Sequence, residues 1–150
     1  MSEHKARIEW KRTSEDFEAA SYTRDHTWVF ENGVEVAASA APDYRGNPER
    51  VDPESSFVAS LSSCHMLTFL FLCARRHFTV DSYADSAVGY LEKNPEGRMA
   101  VTRVELKPRV QFSGDVGPSS EELSQLHERA HRDCFIANSV TTQIEIRPEA

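Results

Sequence analysis

The chain has 150 residues, enough for one domain with a substantial core, and the composition of an ordinary globular protein. A formal net charge of −7 argues against a nucleic-acid partner, which needs a basic surface. The longest apolar run, LTFLFLCA over 67–74, stops at Arg75 and Arg76, far short of the ~20 residues of a membrane span.

The first residues, MSEHKARIEW, are polar and charged and do not read as a secretory leader. Within them ARIEW alternates Ala6, Ile8 and Trp10 as a strand does. HTWVFENGVEVA carries apolar residues on both sides of Asn32-Gly33, a dipeptide suited to the positive φ angles of a tight hairpin turn. The segment 39–53, with three prolines and a glycine, is a loop. Asp52-Pro53 then predicts a helix start, with Asp52 as N-cap and proline at the first helical position. That helix extends to about Arg76, lacks a polar face over most of its length, and is expected to be central and buried. DSAVGYLEK reads as a strand and NPEG as a turn. VTRVELKPRVQF alternates Val104, Leu106, Pro108, Val110 and Phe112 on one face, and Pro108 places it at an edge or a bulge. After the loop GDVGPSS, Ser119 and Glu122 have capping-box spacing, and a second helix carries Leu123, Leu126, Ala130 and Cys134 on one stripe. TTQIEIRP closes the chain as a strand. The order of elements is that of a single α+β domain over 1–150 with a mostly antiparallel sheet.

Three cysteines, Cys64, Cys73 and Cys134, are an odd count that suits a reducing cytoplasm, argues against a disulfide framework and favours a transient or catalytic thiol. Cys64 and Cys73 are nine residues apart and point to opposite sides of one helix. Cys73, between Leu72 and Ala74, reads as a packed core residue. Cys64 sits among Ser62, Ser63, His65 and Thr68, a polar notch that fits either a small cavity or a contact between helices through small residues. Cys134 has His131 one turn before it. Two chemistries are open: a nucleophilic Cys64 with Cys134 as its resolving partner, or zinc held by Cys64, His65, His131 and Cys134. Zinc is the weaker, because adjacent helical residues diverge by about 100° and no C-x₂₋₄-C knuckle is present. A thiol nucleophile needs a nearby cation to lower its pKa, and Arg24, Arg45, Arg50, His65 and His131 are the candidates.

The segments DPESSFVASLSSCHMLTFL, DSAVGYLEK and AHRDCFIANSV, with YTRDH near the N-terminus, resemble the OsmC/Ohr family of osmotically inducible and organic-hydroperoxide-resistance proteins. The resemblance covers about residues 6–148 and implies an OsmC-like fold, an intertwined homodimer with a long central helix in its core. It implies thiol peroxidase activity, with Cys64 as the peroxidatic and Cys134 as the resolving cysteine, meeting within one chain. Glu54 matches the family's glutamate, and Arg24 resembles the arginine that pairs with it, favours the thiolate and helps bind the peroxide. Metal, haem and flavin are not needed; an external dithiol, lipoyl-type or thioredoxin-like, recycles the disulfide. The chain departs from the better-known branches in having Phe135 after the second cysteine and His65 and Met66 after the first, features of an OsmC-like side branch in which His65 and His131 are candidates for tuning the thiols.

If Glu54 and Cys64 share one continuous helix, ten residues separate them by ~15 Å, so Glu54 cannot approach Cys64 of its own chain directly: either Arg24 bridges the gap, the helix begins later, or a second chain supplies Glu54, the solution the family resemblance implies. Phe57, Leu61, Met66, Phe69 and Phe135 could form an entrance that favours organic hydroperoxides, or ordinary core. The competing function is a non-enzymatic thiol protein on the same fold, redox-responsive or binding a small ligand.

Overall fold

The structure is a computed structural model; it describes residues 1–114 and 116–150, so Asp115 of the predicted GDVGPSS loop lies outside the described residues. Contacts group the chain into two compact units, Met1–Ser56 and Phe57–Ala150.

In the first unit, β1 (Ala6–Glu9), β2 (His26–Phe30) and β3 (Glu35–Ala38) form an antiparallel sheet in the order β1-β2-β3. The hairpin between β2 and β3 is where Asn32-Gly33 predicts it. Gly33 alone takes positive φ (84°), its N–H donates to the Phe30 carbonyl, and Asn32 Oδ1 accepts the Val34 N–H at 3.1 Å. This is a turn followed by a left-handed glycine, a longer loop that still preserves the strands' twist. The long β1–β2 connection is pinned by Trp10, whose indole N–H donates to the Thr23 carbonyl at 2.8 Å and whose ring packs edge-on against Phe17 and Tyr22.

Helix α1 (Pro53–Arg75) starts and stops by recognisable chemistry. Asp52 Oδ1 accepts the Ser55 N–H at 2.9 Å, so Asp52 is the N-cap and Pro53 the first helical residue, as predicted. At the other end His77 takes the left-handed conformation (φ 60°), Phe78 N–H donates to the Cys73 carbonyl and His77 N–H to that of Ala74, a Schellman closure. Burial of α1 is one-sided: Leu61, His65, Phe69 and Cys73, spaced by four, are buried, while Leu67 and Phe71 are about 60% exposed on the opposite face. By length and composition alone α1 is long and apolar enough to cross a membrane, because its serines, threonine, cysteines and histidine carry no charge to interrupt it. Its packed face identifies it as a core helix.

In the second unit, β4 (Val80–Asp85) pairs with β7 (Pro108–Phe112), and β5 (Val88–Lys93), β6 (Met99–Leu106) and β8 (Gln143–Ile146) form a sheet in the order β5-β6-β8. Among the described residues the strand pairs are antiparallel except β6 with β8. The segment read as one strand over VTRVELKPRVQF is two. It breaks at Lys107, whose N–H leaves the ladder and donates to Asp85 Oδ1 at 2.6 Å, and Pro108, which has no N–H to give, opens β7. DSAVGYLEK likewise starts pairing only at Val88, with Asp85 closing β4. Gly89 in β5 faces α1: a Cβ there would stand 2.4 Å from Val58 Cγ2, so only glycine lets the strand approach.

Helix α2 (Ser120–Asp133) carries the predicted capping box: Ser119 Oγ accepts the Glu122 N–H and Glu122 Oε2 accepts the Ser119 N–H. Two apolar clusters hold the unit together. Phe69 and Cys73 of α1 pack with Leu126 and Ala130 of α2, and Leu61 packs with Val104 and Leu106 of β6.

Candidate functional site

The helices bring two of the predicted residues together. Cys64 lies near the middle of α1 and is half-buried; Cys134 is the C-cap of α2 and 1% exposed. The two thiols are neighbours in one chain, close enough for the Cys64 sulfur to act on the Cys134 thiol. Cys134 ends α2 because its φ and ψ turn extended while its N–H still donates to the His131 carbonyl, and the Ala137 N–H donates to its Sγ at 3.4 Å. Burial pushes the Cys134 thiol up to about 11, and the neighbouring Cys64 sulfur adds to this, against the backbone N–H groups of Ala137 and Ile136. Cys134 therefore rests protonated, and the more accessible Cys64 is the sulfur that meets a reactant. Cys73 sits in the apolar cluster with its thiol likewise pushed up to about 11 by burial, and reads as inert packing.

The polar notch around Cys64 is not one cavity. Ser62 Oγ donates to Asp85, Thr68 Oγ1 bonds back to the Cys64 carbonyl at 2.9 Å, Ser63 is exposed, and His65 turns into the core. These side chains leave the helix on different sides, as a rotation of about 100° per residue requires.

His65 meets a residue that sequence reasoning missed. Its Nε2 is 3.1 Å from Nδ1 of His127 on α2, with both rings buried and nearly coplanar, 4° apart. The Phe69 ring stacks on His127 at 4.3 Å. Burial depresses His65 to about 3, with the charges of His127 and His131 adding to it, and burial depresses His127 to about 4. Both are neutral at physiological pH, so His65 cannot supply the positive charge that was one of its candidate roles. The signal for His127 was present: it continues the buried stripe of α2 at i+4 from Leu123 and precedes His131 by one turn. His131 is half-buried and lines, with His127, Ser120, Leu123, Ile144 and Ile146, an open groove of about 450 Å³. The four residues of the zinc alternative do not converge, and among the described residues no group of three or more His, Cys, Asp or Glu side chains is placed to hold a metal ion.

Arg24 and Glu54 belong to the first unit. The Arg24 guanidinium lies over the Tyr22 ring, 3.7 Å from its centroid, and donates to the carbonyls of Tyr22 and of Ala19, the latter at 2.6 Å. Among the described residues it forms no ion pair with Glu54, the pairing expected from the family; Arg50 instead pairs with Asp25 at 3.3 Å. Glu54 opens α1 beside Asp52 and shares with Cys64 one unbroken helix, which sets the two ~15 Å apart along its axis. Of the proposed entrance residues, Leu61 and Phe69 are core in separate clusters and Phe135 is 80% exposed.

Comparison with known proteins follows the same lines. The family model described as OsmC-like protein matches residues 46–149. An OsmC-like protein of unknown function from Vibrio cholerae is 47% identical over 99% of this chain and 100% of its own, with a TM-score of 0.96. An organic hydroperoxide resistance protein from Legionella pneumophila (15% identity, 100% and 98% coverage, TM-score 0.72) and one from Bacillus subtilis (14%, 99% and 98%, 0.68) share the fold. No curated protein matches. With its α+β architecture and a family match over more than half its length, the chain belongs to the OsmC-like protein family.

Proposed function

We propose that this protein is a thiol-dependent peroxidase that reduces organic hydroperoxides. The observation that carries the reading is that a half-buried Cys64 and a buried Cys134 are neighbours in one chain. The Cys64 thiolate attacks one oxygen of the peroxide; the O–O bond breaks, the other oxygen leaves as alkoxide and takes a proton to become the alcohol. Cys64 is left as a sulfenic acid. The Cys134 sulfur then attacks the Cys64 sulfur, forming the disulfide and releasing water. An external dithiol, lipoyl-type or thioredoxin-like, reduces that disulfide by exchange in a reducing cytoplasm. Organic hydroperoxide resistance is what the names of the Legionella and Bacillus proteins state, which supports this substrate class. The family resemblance implies that Arg24 favours the thiolate and the peroxide oxygen, a role a guanidinium serves because it is always charged; the pairing with Glu54 that goes with it is not made in the single chain. The reaction needs no bound cofactor.

The test is intact mass and free-thiol count after one equivalent of cumene hydroperoxide. The wild type loses two thiols to an internal disulfide, Cys64→Ser loses none, and Cys134→Ser reacts once and stops at the sulfenic acid or beyond. A wild type that stays fully reduced overturns the reading in favour of a non-enzymatic, ligand-binding thiol protein.

A further inference from the structure

The two sulfurs ride on two different helices, so something must hold α1 and α2 in register. The apolar cluster of Phe69, Cys73, Leu126 and Ala130 gives cohesion, but apolar contacts are non-directional and tolerate small slides. Among the described residues, the His65–His127 contact is the side-chain hydrogen bond that joins α1 to α2, and it stands one residue from Cys64. On α2, His127 lies two turns before Cys134, so both project from the same face. The His127 ring is held on its edge by His65 and on its face by Phe69. The arrangement is costly: His65 Nδ1 and His127 Nε2 are buried without partners, a penalty that an apolar pair would avoid.

We infer that His65 and His127 are positioning residues for disulfide formation: their hydrogen bond fixes the register of α1 against α2 that aligns the Cys134 sulfur with Cys64. The bond is directional, with one imidazole N–H donating in the plane of the other ring, so it sets where α2 stands along α1. Alignment matters because the attacking sulfur must approach along the S–O bond that breaks, and small misplacements are expensive. The inference rests on the thiol chemistry proposed above but concerns its second step only. Peroxide attack on Cys64 needs no partner on α2; closure of the disulfide, with loss of water, does.

The experiment compares wild type, His127→Leu and His127→Asn, whose amide nitrogen stands near the position of Nδ1. Sulfenic acid formation is followed by rapid trapping with dimedone, and disulfide closure by the loss of the second thiol. Expected are equal first-step rates in all three proteins, closure about tenfold slower in His127→Leu, the scale of one lost hydrogen bond, and recovery to near the wild-type rate in His127→Asn. A fold-wide defect would slow both steps and would not be rescued by asparagine. Closure in His127→Leu at the wild-type rate, or asparagine as slow as leucine, overturns the inference. If the wild type forms no sulfenic acid, the peroxidase reading fails by itself. Closure is then driven with diamide, which couples the same two thiols without peroxide, and the same ranking is required. Should His127→Leu not fold, His65→Met against His65→Gln, which keeps a nitrogen near the Nε2 position, poses the same comparison from α1.

Discussion

A buried pair of neutral imidazoles makes the protein sensitive to acid in a range where its carboxylates are still ionised. In the unfolded chain each histidine titrates near its ordinary value of about 6.5, whereas burial holds His65 at about 3 and His127 at about 4 in the fold. Between those limits the unfolded state binds more protons, so stability rises with pH: none is lost above about 6.5, and loss accumulates as pH falls toward the folded values. At pH 5 the cost is on the order of 2 kcal/mol for each histidine. Urea midpoints at pH 7 and pH 5 check this; a midpoint that does not move would show that the pair is solvated or charged in the fold. At this scale Cys64 stood out as a thiol beside a histidine at the head of an apolar run, and Cys134 drew notice only as a second cysteine with a histidine one turn before it. His127 was legible only as a position on the buried stripe of α2; its pairing was not, because the partner His65 comes from the facing helix. The pairing expected for Arg24 was equally beyond the sequence: its guanidinium is taken by carbonyls of its own loop, and backbone acceptors leave no residue-level trace.

Among the elements, the ends of the helices were the most readable part of the chain. Asp52-Pro53 and Ser119 with Glu122 act through their own side chains within one turn, so sequence determines them. The C-terminus of α1 was not announced by glycine, because His77 takes the left-handed position there instead. An L-residue in that conformation costs about 1 kcal/mol that glycine does not, and His77 is exposed with its backbone already closing the helix. His77→Gly should therefore raise stability by about 1 kcal/mol, read as a higher urea midpoint at unchanged slope; a lower midpoint would mean that the imidazole makes a contribution larger than the strain. The strands were harder to read. The alternation through Lys107 and Pro108 is unbroken in sequence, and only the hydrogen bond from Lys107 to Asp85, twenty-two residues earlier, divides β6 from β7 between two sheets.

For the whole molecule, the question is what covers α1. No Asp, Glu, Lys or Arg occurs from Ser55 to Ala74, yet the face bearing Ala59, Ser63, Leu67 and Phe71 is exposed in the single chain. These positions are spaced by four and form one ridge of the kind that packs into the groove of another helix. The ridge is small at its start and bulky at its end. Two copies related by a two-fold axis can set the small end of one against the bulky end of the other, a self-complementary contact of the commonest kind. The expectation is a homodimer through α1, in agreement with the family resemblance. Light scattering on the eluting wild type should give twice the 17.0 kDa of the chain. Leu67→Glu with Phe71→Glu should shift it to the monomer, since two carboxylates facing their copies across an apolar contact are destabilising. A wild type that elutes as a monomer at micromolar concentration would refute the interface. It would leave about a full helix face of leucine and phenylalanine in water, a patch that soluble monomers seldom carry without a partner.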